Sequence, residues 1–345
     1  MLARLHVRLP FFVNIPEGEE FPIYEYKESG YIIRIYPLLA SEGPINNAIS
    51  LQTCIDGRKA YTANLLQIDF RKDTFDRRQR MEYCDPPKDL MKKKVNSYIA
   101  KLRCITRSPN IHQVDFPLID WELNYLNDDG TELLSDGIST KKRGVHRIEF
   151  DYCAFNRDTW NELIDPATQD GILPWDDLIL DSEAELPSIG PSIVLAATAL
   201  EVLISYVLDQ LVTATDFPAD LWNWINMRRQ KEPSVEEQYD YLLKLLSGHS
   251  LREDPKLWEA FANLKTSRNS FVHEGIAKIG KKPITIDKAR YLVASATEII
   301  LKVRSWMPPE VQWKISERKV CIESTFNIYP FDTPKPKSQE RVNKG

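Results

Sequence analysis

The spacing of apolar residues changes at about residue 188, and this change limits the fold more than any other feature of the sequence. Before it, short runs such as Tyr31–Leu39 are rich in the β-branched and aromatic residues that are typical of strands. After it, Ser192–Leu211 and Thr285–Met307 carry apolar residues three and four positions apart, which predicts helices. A chain of 345 residues usually forms two domains. The sequence therefore predicts an α+β protein, with a mainly-β amino-terminal domain followed by an all-α bundle of four or five helices.

Composition and local signals give the domain boundaries. Asp89–Arg107 has helical spacing, so the amino-terminal domain is expected to be mixed rather than purely β. Glu149–Leu186 contains eleven acidic residues against one basic residue and is broken by prolines, which is typical of a connector. Val311–Ile328 alternates like one or two strands. We therefore expect a mixed, mainly-β recruitment or sensing domain at 1–155, an acidic connector at 156–187, the helical bundle at 188–310, a strand-like extension at 311–330 and a disordered tail at 331–345.

Several residues mark where the helices of the bundle begin and end. Ser234 followed by Glu237 has the form of a capping box, in which the two side chains satisfy each other's backbone N–H groups. Asp254 followed by Pro255 is typical of a helix start, and Gly275 is typical of a helix end. These signals predict a helix of about twenty residues that ends at Gly275.

Overall charge and cysteine usage exclude several classes of protein. The 45 basic and 50 acidic residues give a net charge of −5, so any nucleic-acid surface must be a local patch. Five scattered cysteines without a CxxC pair argue against a disulfide framework and a zinc site, and they favour a cytoplasmic protein. Ile193–Leu208 is the longest apolar stretch but is shorter than a membrane span and contains Glu201, so we expect no membrane contact.

Positive charge is concentrated in Asp69–Arg107, which has twelve basic residues against six acidic ones. Such a run is often only a solvated surface, but it also suits a phosphate backbone. Tyr83 and Tyr98 lie nearby in sequence for base stacking. The residues that the sequence favours for RNA binding, or else for a solvated helix face beside a protein-binding surface, are Arg77, Arg78, Lys92, Lys93 and Lys94.

The most unusual local pattern is Arg268-Asn269-Ser270-Phe271-Val272-His273, near the end of the predicted helix. At 100° per residue, Arg268 falls in an apolar stripe, and a buried guanidinium is costly unless it is paired. Glu201 falls in a mostly apolar stripe of the first bundle helix. The two charges are therefore predicted to meet, either as a structural salt bridge or as part of a functional site. The five histidines do not cluster, which disfavours a histidine-bound metal.

The segment RNSFVH resembles the Arg-x4-6-His motif of HEPN-domain ribonucleases, and RNSFVHEG resembles the RNxxxHG form of the ApeA-like branch and of HEPN toxins. The resemblance covers about residues 188–307. It implies a metal-independent endoribonuclease with no cofactor, in which His273 is the general base or acid and Arg268 stabilises charge on the phosphate. Asn269 would bind the phosphate or orient His273, and Glu201 would support the site.

The same resemblance implies RNA as substrate, a toxin or antiphage-defence role, and regulation by an antitoxin or a phage-derived trigger. Within one straight helix, Arg268 and His273 point about 140° apart. The resemblance implies a homodimer, because members of the family pair two motifs across a dimer. The alternative is a non-catalytic HEPN module that binds RNA, nucleotide or a partner protein.

Overall fold

In the computed structural model, the described residues are 2–40, 49–55, 58–72, 86–112, 114, 120–127, 140–142, 149–165, 173–215, 217–226, 233–313 and 322–328. The chain divides into two compact units. One comprises Met1–Lys92, Val114–Asn161 and Lys319–Gly345, and the other comprises Lys93–Gln113 and Glu162–Arg318. An amino-terminal sheet followed by a mostly helical region confirms the predicted α+β class.

The first unit is built on one mostly antiparallel sheet. Ten of the described strands belong to it, with the order β12-β5-β6-β1-β7-β8 along its main path; β2 pairs with β3, β3 and β4 pair with β6, and β9 pairs in parallel with β1. The strands are β1 (Leu2–Pro16), β2 (Tyr24–Glu28), β3 (Tyr31–Ile35), β4 (Leu39–Ala40), β5 (Ile49–Ile55), β6 (Arg58–Lys72), β7 (Asp120–Leu126), β8 (Thr140–Lys142), β9 (Glu149–Ala154) and β12 (Ile322–Ile328).

Alternation along β1 gives this sheet two different faces. Leu5 and Val7 are fully buried, whereas Arg4 lies on the opposite, more polar face. Arg4 donates from Nε and Nη2 to the two carboxylate oxygens of Asp69 on β6, at 2.8 and 2.9 Å. The Tyr36 hydroxyl donates to the same carboxylate at 2.8 Å. The buried Asp69 charge is thus fully paired, as a charge removed from water must be.

The second unit is helical. The described helices of the whole chain, in order, are α1 (Lys88–Thr106), α2 (Arg157–Ile164), α3 (Pro174–Glu185), α4 (Ile189–Ala214), α5 (Ala219–Asn226), α6 (Val235–Glu237), α7 (Leu243–Ser247), α8 (Pro255–Glu274) and α9 (Ile286–Ser305). A π-helical turn at Gln238–Leu242 joins α6 to α7, and a hairpin of β10 (Lys278–Ile279) and β11 (Lys282–Pro283) joins α8 to α9. The capping box at Ser234 and Glu237 is confirmed by both of its hydrogen bonds.

Helix α4 lies at the centre of the helical core. Its apolar side chains form one cluster with those of α3, α7, α8 and α9. By length and composition alone, this helix is also apolar enough to cross a membrane, the one such case among the described residues. Twelve of its residues are buried within the protein, which is what a core helix requires.

The acidic segment differs most from expectation. Residues 156–187, predicted to be a connector, contain α2 and α3. Helix α3 places Trp175, Ile179 and Leu180 in the core beside α4, so it is a member of the bundle. The acidic density of the sequence concealed this apolar face, because the charges lie on the other side of the same helix.

The acidic side of α3 faces the basic side of α1. Arg103 donates to Asp177 at 3.1 Å and also to Asp181, and Arg107 donates to Asp176 at 3.2 Å. Burial nevertheless raises the pKa of Asp176 and of Asp177, because the loss of water outweighs the effect of the neighbouring arginines. Part of the basic run therefore neutralises part of the acidic run within the same unit.

Candidate functional site

Helix α8 carries the RNSFVH segment and continues without a break through all of it. Asp254 caps its start by accepting from the N–H of Leu257 at 3.2 Å, and Pro255 is its first residue. Gly275 ends it with a φ of 75°, in the left-handed region that favours glycine. All three sequence signals for this helix are confirmed. Arg268 and His273 consequently lie on one regular helix, five residues and about 140° apart.

Arg268 lies at the edge of the bundle with its guanidinium between two polar neighbours. It donates from Nη1 to Oδ1 of Asn269 at 3.1 Å, and its Nη2 lies 3.8 Å from Oε2 of Glu201 on α4. Its Nε is buried and has no hydrogen-bond partner among the described residues. The guanidinium is thus held in place from two sides. Because the side chain is 33% exposed, its N–H groups other than the buried Nε–H keep donor capacity for an additional anion.

The predicted pairing of Glu201 with Arg268 is present, but its burial was overestimated. The side chain of Glu201 is 37% exposed and that of Arg268 is 33% exposed, so neither faces the core. At 3.8 Å the pair is also longer than a direct hydrogen bond. The helical wheel places both residues beside apolar neighbours, but it does not show that this side of α4 and α8 reaches the surface.

Beneath Glu201, α4 is contacted by a buried tyrosine. Tyr239, in the π-helical turn, donates its hydroxyl to the carbonyl of Leu200 at 2.8 Å and is fully buried. Burial raises the pKa of Tyr239 well above its ordinary value, and the nearby negative charge of Glu201 adds to this effect. Tyr239 therefore stays a neutral donor that fixes the backbone next to Glu201.

His273 is exposed in the last turn of α8. Since the helix does not end between Arg268 and His273, a single chain does not turn both side chains to one point. Asn269 accepts a hydrogen bond from Arg268, so here it orients the guanidinium. Among the candidate residues on the bundle, the structure brings together Arg268, Asn269 and Glu201, and it leaves His273 apart.

A close helix–helix contact fixes the last turn of α8. Phe271 packs against Gly190 at the beginning of α4, where an added Cβ would lie 2.0 Å from Cε2 of the phenylalanine ring. Only glycine leaves room for the ring at that distance. Sequence reasoning missed this role, although a glycine in the first turn of the most apolar helix is a recognisable signal.

The hairpin that follows α8 was also missed. Its two strands pair Lys278 with Pro283 and Ile279 with Lys282, so the loop has two residues. Gly280 has a φ of 62°, the left-handed geometry that such tight hairpins need at their first loop position. The alternation in IAKIGKKPI, with a glycine in the middle, was the available signal.

The basic candidates outside the bundle have mixed positions. Arg77 and Arg78, with Tyr83, lie outside the described residues. On α1, Lys92 and Lys93 are exposed, but Lys94 is only 8% exposed. Tyr98 is 2% exposed and so offers no ring face for base stacking. The three lysines are therefore not one uniform solvated row.

Among the described residues, no group of three or more His, Cys, Asp or Glu side chains is arranged to hold a metal ion. Comparison of the chain with protein-family models, with curated proteins and with solved structures gave no significant match.

Proposed function

We propose that this chain is a metal-independent endoribonuclease of the HEPN type, acting as a homodimer and serving as a toxin or antiphage-defence effector. The observation that carries the proposal is the guanidinium of Arg268, which lies on the same helix as His273 and is oriented by Asn269 of α8 and Glu201 of α4. A donor group that is held in advance while its side chain stays 33% exposed suits a phosphate whose charge grows during the reaction.

RNA supplies the nucleophile for this chemistry. His273 takes the proton of the 2′-hydroxyl, the 2′-oxygen attacks phosphorus, and the bond from phosphorus to the 5′-oxygen breaks. Arg268 stabilises the extra negative charge on the pentavalent phosphate. The 5′-oxygen needs a proton, and His273 of the partner subunit supplies it. The products carry a 2′,3′-cyclic phosphate and a 5′-hydroxyl.

Exposed apolar residues beside His273 support the homodimer. Val272 is 55% exposed and Ile276 is 49% exposed, one on each side of the histidine along the chain. A second copy would cover these side chains and bring its own motif to the same cleft, which removes the difficulty that Arg268 and His273 of one chain diverge. Val272→Glu should therefore weaken both dimerisation and cleavage. A monomer with full nuclease activity at nanomolar concentration would contradict this proposal.

One observation favours the alternative, a non-catalytic HEPN module that binds RNA, nucleotide or a partner protein. The unbroken helix leaves His273 away from Arg268 within one chain, which is what a binding module without catalysis would tolerate. For the amino-terminal domain, we propose recruitment of RNA or sensing of a trigger, such as a phage-derived protein or an antitoxin, rather than chemistry.

Incubation of the full chain with total RNA in EDTA tests the ribonuclease. Wild type should cleave and leave 2′,3′-cyclic phosphate ends, and His273→Ala should lose about 10²–10⁴-fold in rate. His249→Ala is the matched control, because His249 is also exposed but stacks on Trp306 instead. Activity that EDTA abolishes and magnesium restores would refute the proposal. RNA binding without cleavage would favour the non-catalytic module.

A further inference from the structure

Three residues separate the end of α8 from the hairpin β10–β11, which is fixed to this helix. Ser270 donates its hydroxyl to the carbonyl of Ile276 at 2.8 Å, and the N–H of Ile284 donates to the carbonyl of Ala277 at 3.1 Å. Lys278 pairs with Glu274 one turn earlier at 2.6 Å, and Ala277 is buried. These contacts tie the hairpin to the last turn of α8, which carries His273.

The surface of this hairpin is positively charged, in contrast to the chain as a whole. Between residues 274 and 290 there are five basic and two acidic residues, a local charge of +3 within a chain of −5. Both acids, Glu274 and Asp287, are already paired with basic neighbours. Lys281 and Lys282 are exposed at the tip and take part in none of the ion pairs observed among the described residues.

We propose that Lys281 and Lys282 bind the phosphodiester backbone of single-stranded RNA beside the bond that is cut; this inference rests on the proposed ribonuclease function. Lys281 follows Gly275 by six positions, so the two lie at most about 22 Å apart. The lysines and His273 can therefore contact one short stretch of the same strand. The loop residues Gly280 and Lys281, followed by Lys282, present charge without a large apolar anchor. This suits phosphate contacts better than a protein interface.

The test is RNA binding by the full chain in EDTA, with His273→Ala as parent so that the RNA stays intact. Fluorescence anisotropy with a mixed-sequence single-stranded RNA is recorded over a salt series. Lys281→Glu/Lys282→Glu should lower affinity about tenfold or more at low salt, because two phosphate contacts are lost. The slope of log affinity against log salt should become shallower by about 1.4, or about 0.7 per contact.

The matched control is Lys244→Glu/Lys302→Glu, which makes the same change in charge on the same unit. Both lysines are exposed, and Lys302 belongs to the far end of α9, where Trp306 stacks on His249. This control should keep the parent's affinity and salt slope. Lys281→Gln/Lys282→Gln removes the two charges without reversing them and serves as a second variant in case the charge-reversed hairpin misfolds. It should flatten the slope of log affinity against log salt by the same amount.

The outcomes separate this proposal from the ribonuclease. Loss of affinity in both hairpin variants but not in the control supports RNA binding here, even if the wild type fails to cleave. Equal affinity of parent and hairpin variants overturns it, whether or not the wild type cleaves. A parent that binds no RNA also overturns it, and the cleavage assay then decides the catalytic proposal by itself.

Discussion

Helix α1 and the hairpin β10–β11 both concentrate positively charged side chains, but these charges have different surroundings. On α1, Arg103 is buried and donates to two aspartates of α3, and Lys94 is also buried. On the hairpin, Lys281 and Lys282 extend into solvent. The denser positive run in the sequence is thus the one that is more engaged within the protein.

This difference shows that a run of positive charge in the sequence does not reveal whether the charges are paired in the folded protein. The residues that neutralise Arg103 are 74 and 78 positions away along the chain, in a stretch that by itself looks like an acidic connector. Neither the basic run nor the acidic segment contains a sequence signal that identifies the other as its partner. The sparser lysines of the hairpin keep their charge available, because the acids nearest to them in sequence, Glu274 and Asp287, are paired locally. Availability of charge, more than its density, favours a nucleic-acid surface.

Breaking the α1–α3 pairing should have the largest effect on stability. Arg103→Met removes a buried guanidinium from two aspartates that are themselves about one-third exposed, and it should lower the free energy of unfolding by about 2 kcal/mol. Urea unfolding followed by circular dichroism measures it. Lys92→Met, on the exposed side of the same helix, should change it by less than about 0.5 kcal/mol. Equal small losses of unfolding free energy in both variants would mean that the ion pairs of Arg103 add as little to stability as the exposed lysines do.

The reactivity of the Cys104 thiol on α1 gives a second measure of how firmly α1 is packed against α3. Burial raises the pKa of this thiol to about 12, and the charges of Asp176 and Asp177 add to the effect. Alkylation at pH 8 should therefore be at least about tenfold slower in the native protein than in denaturant, since the thiolate is the reactive form. Site-resolved mass spectrometry measures the rate. Rapid native alkylation would show that α1 separates readily from α3.

Removing the Glu201 charge tests whether the charges of the candidate site contribute to stability, as those of α1 do, or are largely exposed to solvent, as those of the hairpin are. Because Glu201 and Arg268 are each about one-third exposed and 3.8 Å apart, Glu201→Gln should cost no more than about 1 kcal/mol. A fully buried pair would lose about 3–5 kcal/mol. Thermal unfolding distinguishes the two values, with His273→Ala as an unaffected reference. A loss of about 2 kcal/mol or more would mean that this pair stabilises the protein as strongly as the ion pairs of Arg103 do.

The smallest effect is expected for the exposed lysines of α1. Lys92→Glu/Lys93→Glu should change RNA affinity by about twofold or less, well below the hairpin variants, in the same anisotropy assay. Lys94 is left unchanged because it is buried, and its replacement would disturb packing. A salt slope flattened as much as in the hairpin variants would restore the prediction that the run at 69–107 binds RNA.

Short-range signals were read correctly from the sequence. The capping box at Ser234, the start at Asp254–Pro255 and the end at Gly275 depend on hydrogen bonds between residues at most four positions apart. Apolar periodicity likewise identified α4, α8 and α9, because each pattern repeats within the helix that it describes. The strands β3 and β12 likewise lie within Tyr31–Leu39 and Val311–Ile328, where local composition and alternation predict strands.

Tertiary structure decided what depends on distant residues. It made α3 part of the bundle, joined Arg103 to Asp177 and Asp181, and left Glu201 with Arg268 at the surface. It also placed Phe271 against Gly190 and tied the hairpin to the end of α8. A helical period shows which residues share a side, but only the packing of other helices determines whether that side faces the core, an opposite charge or water.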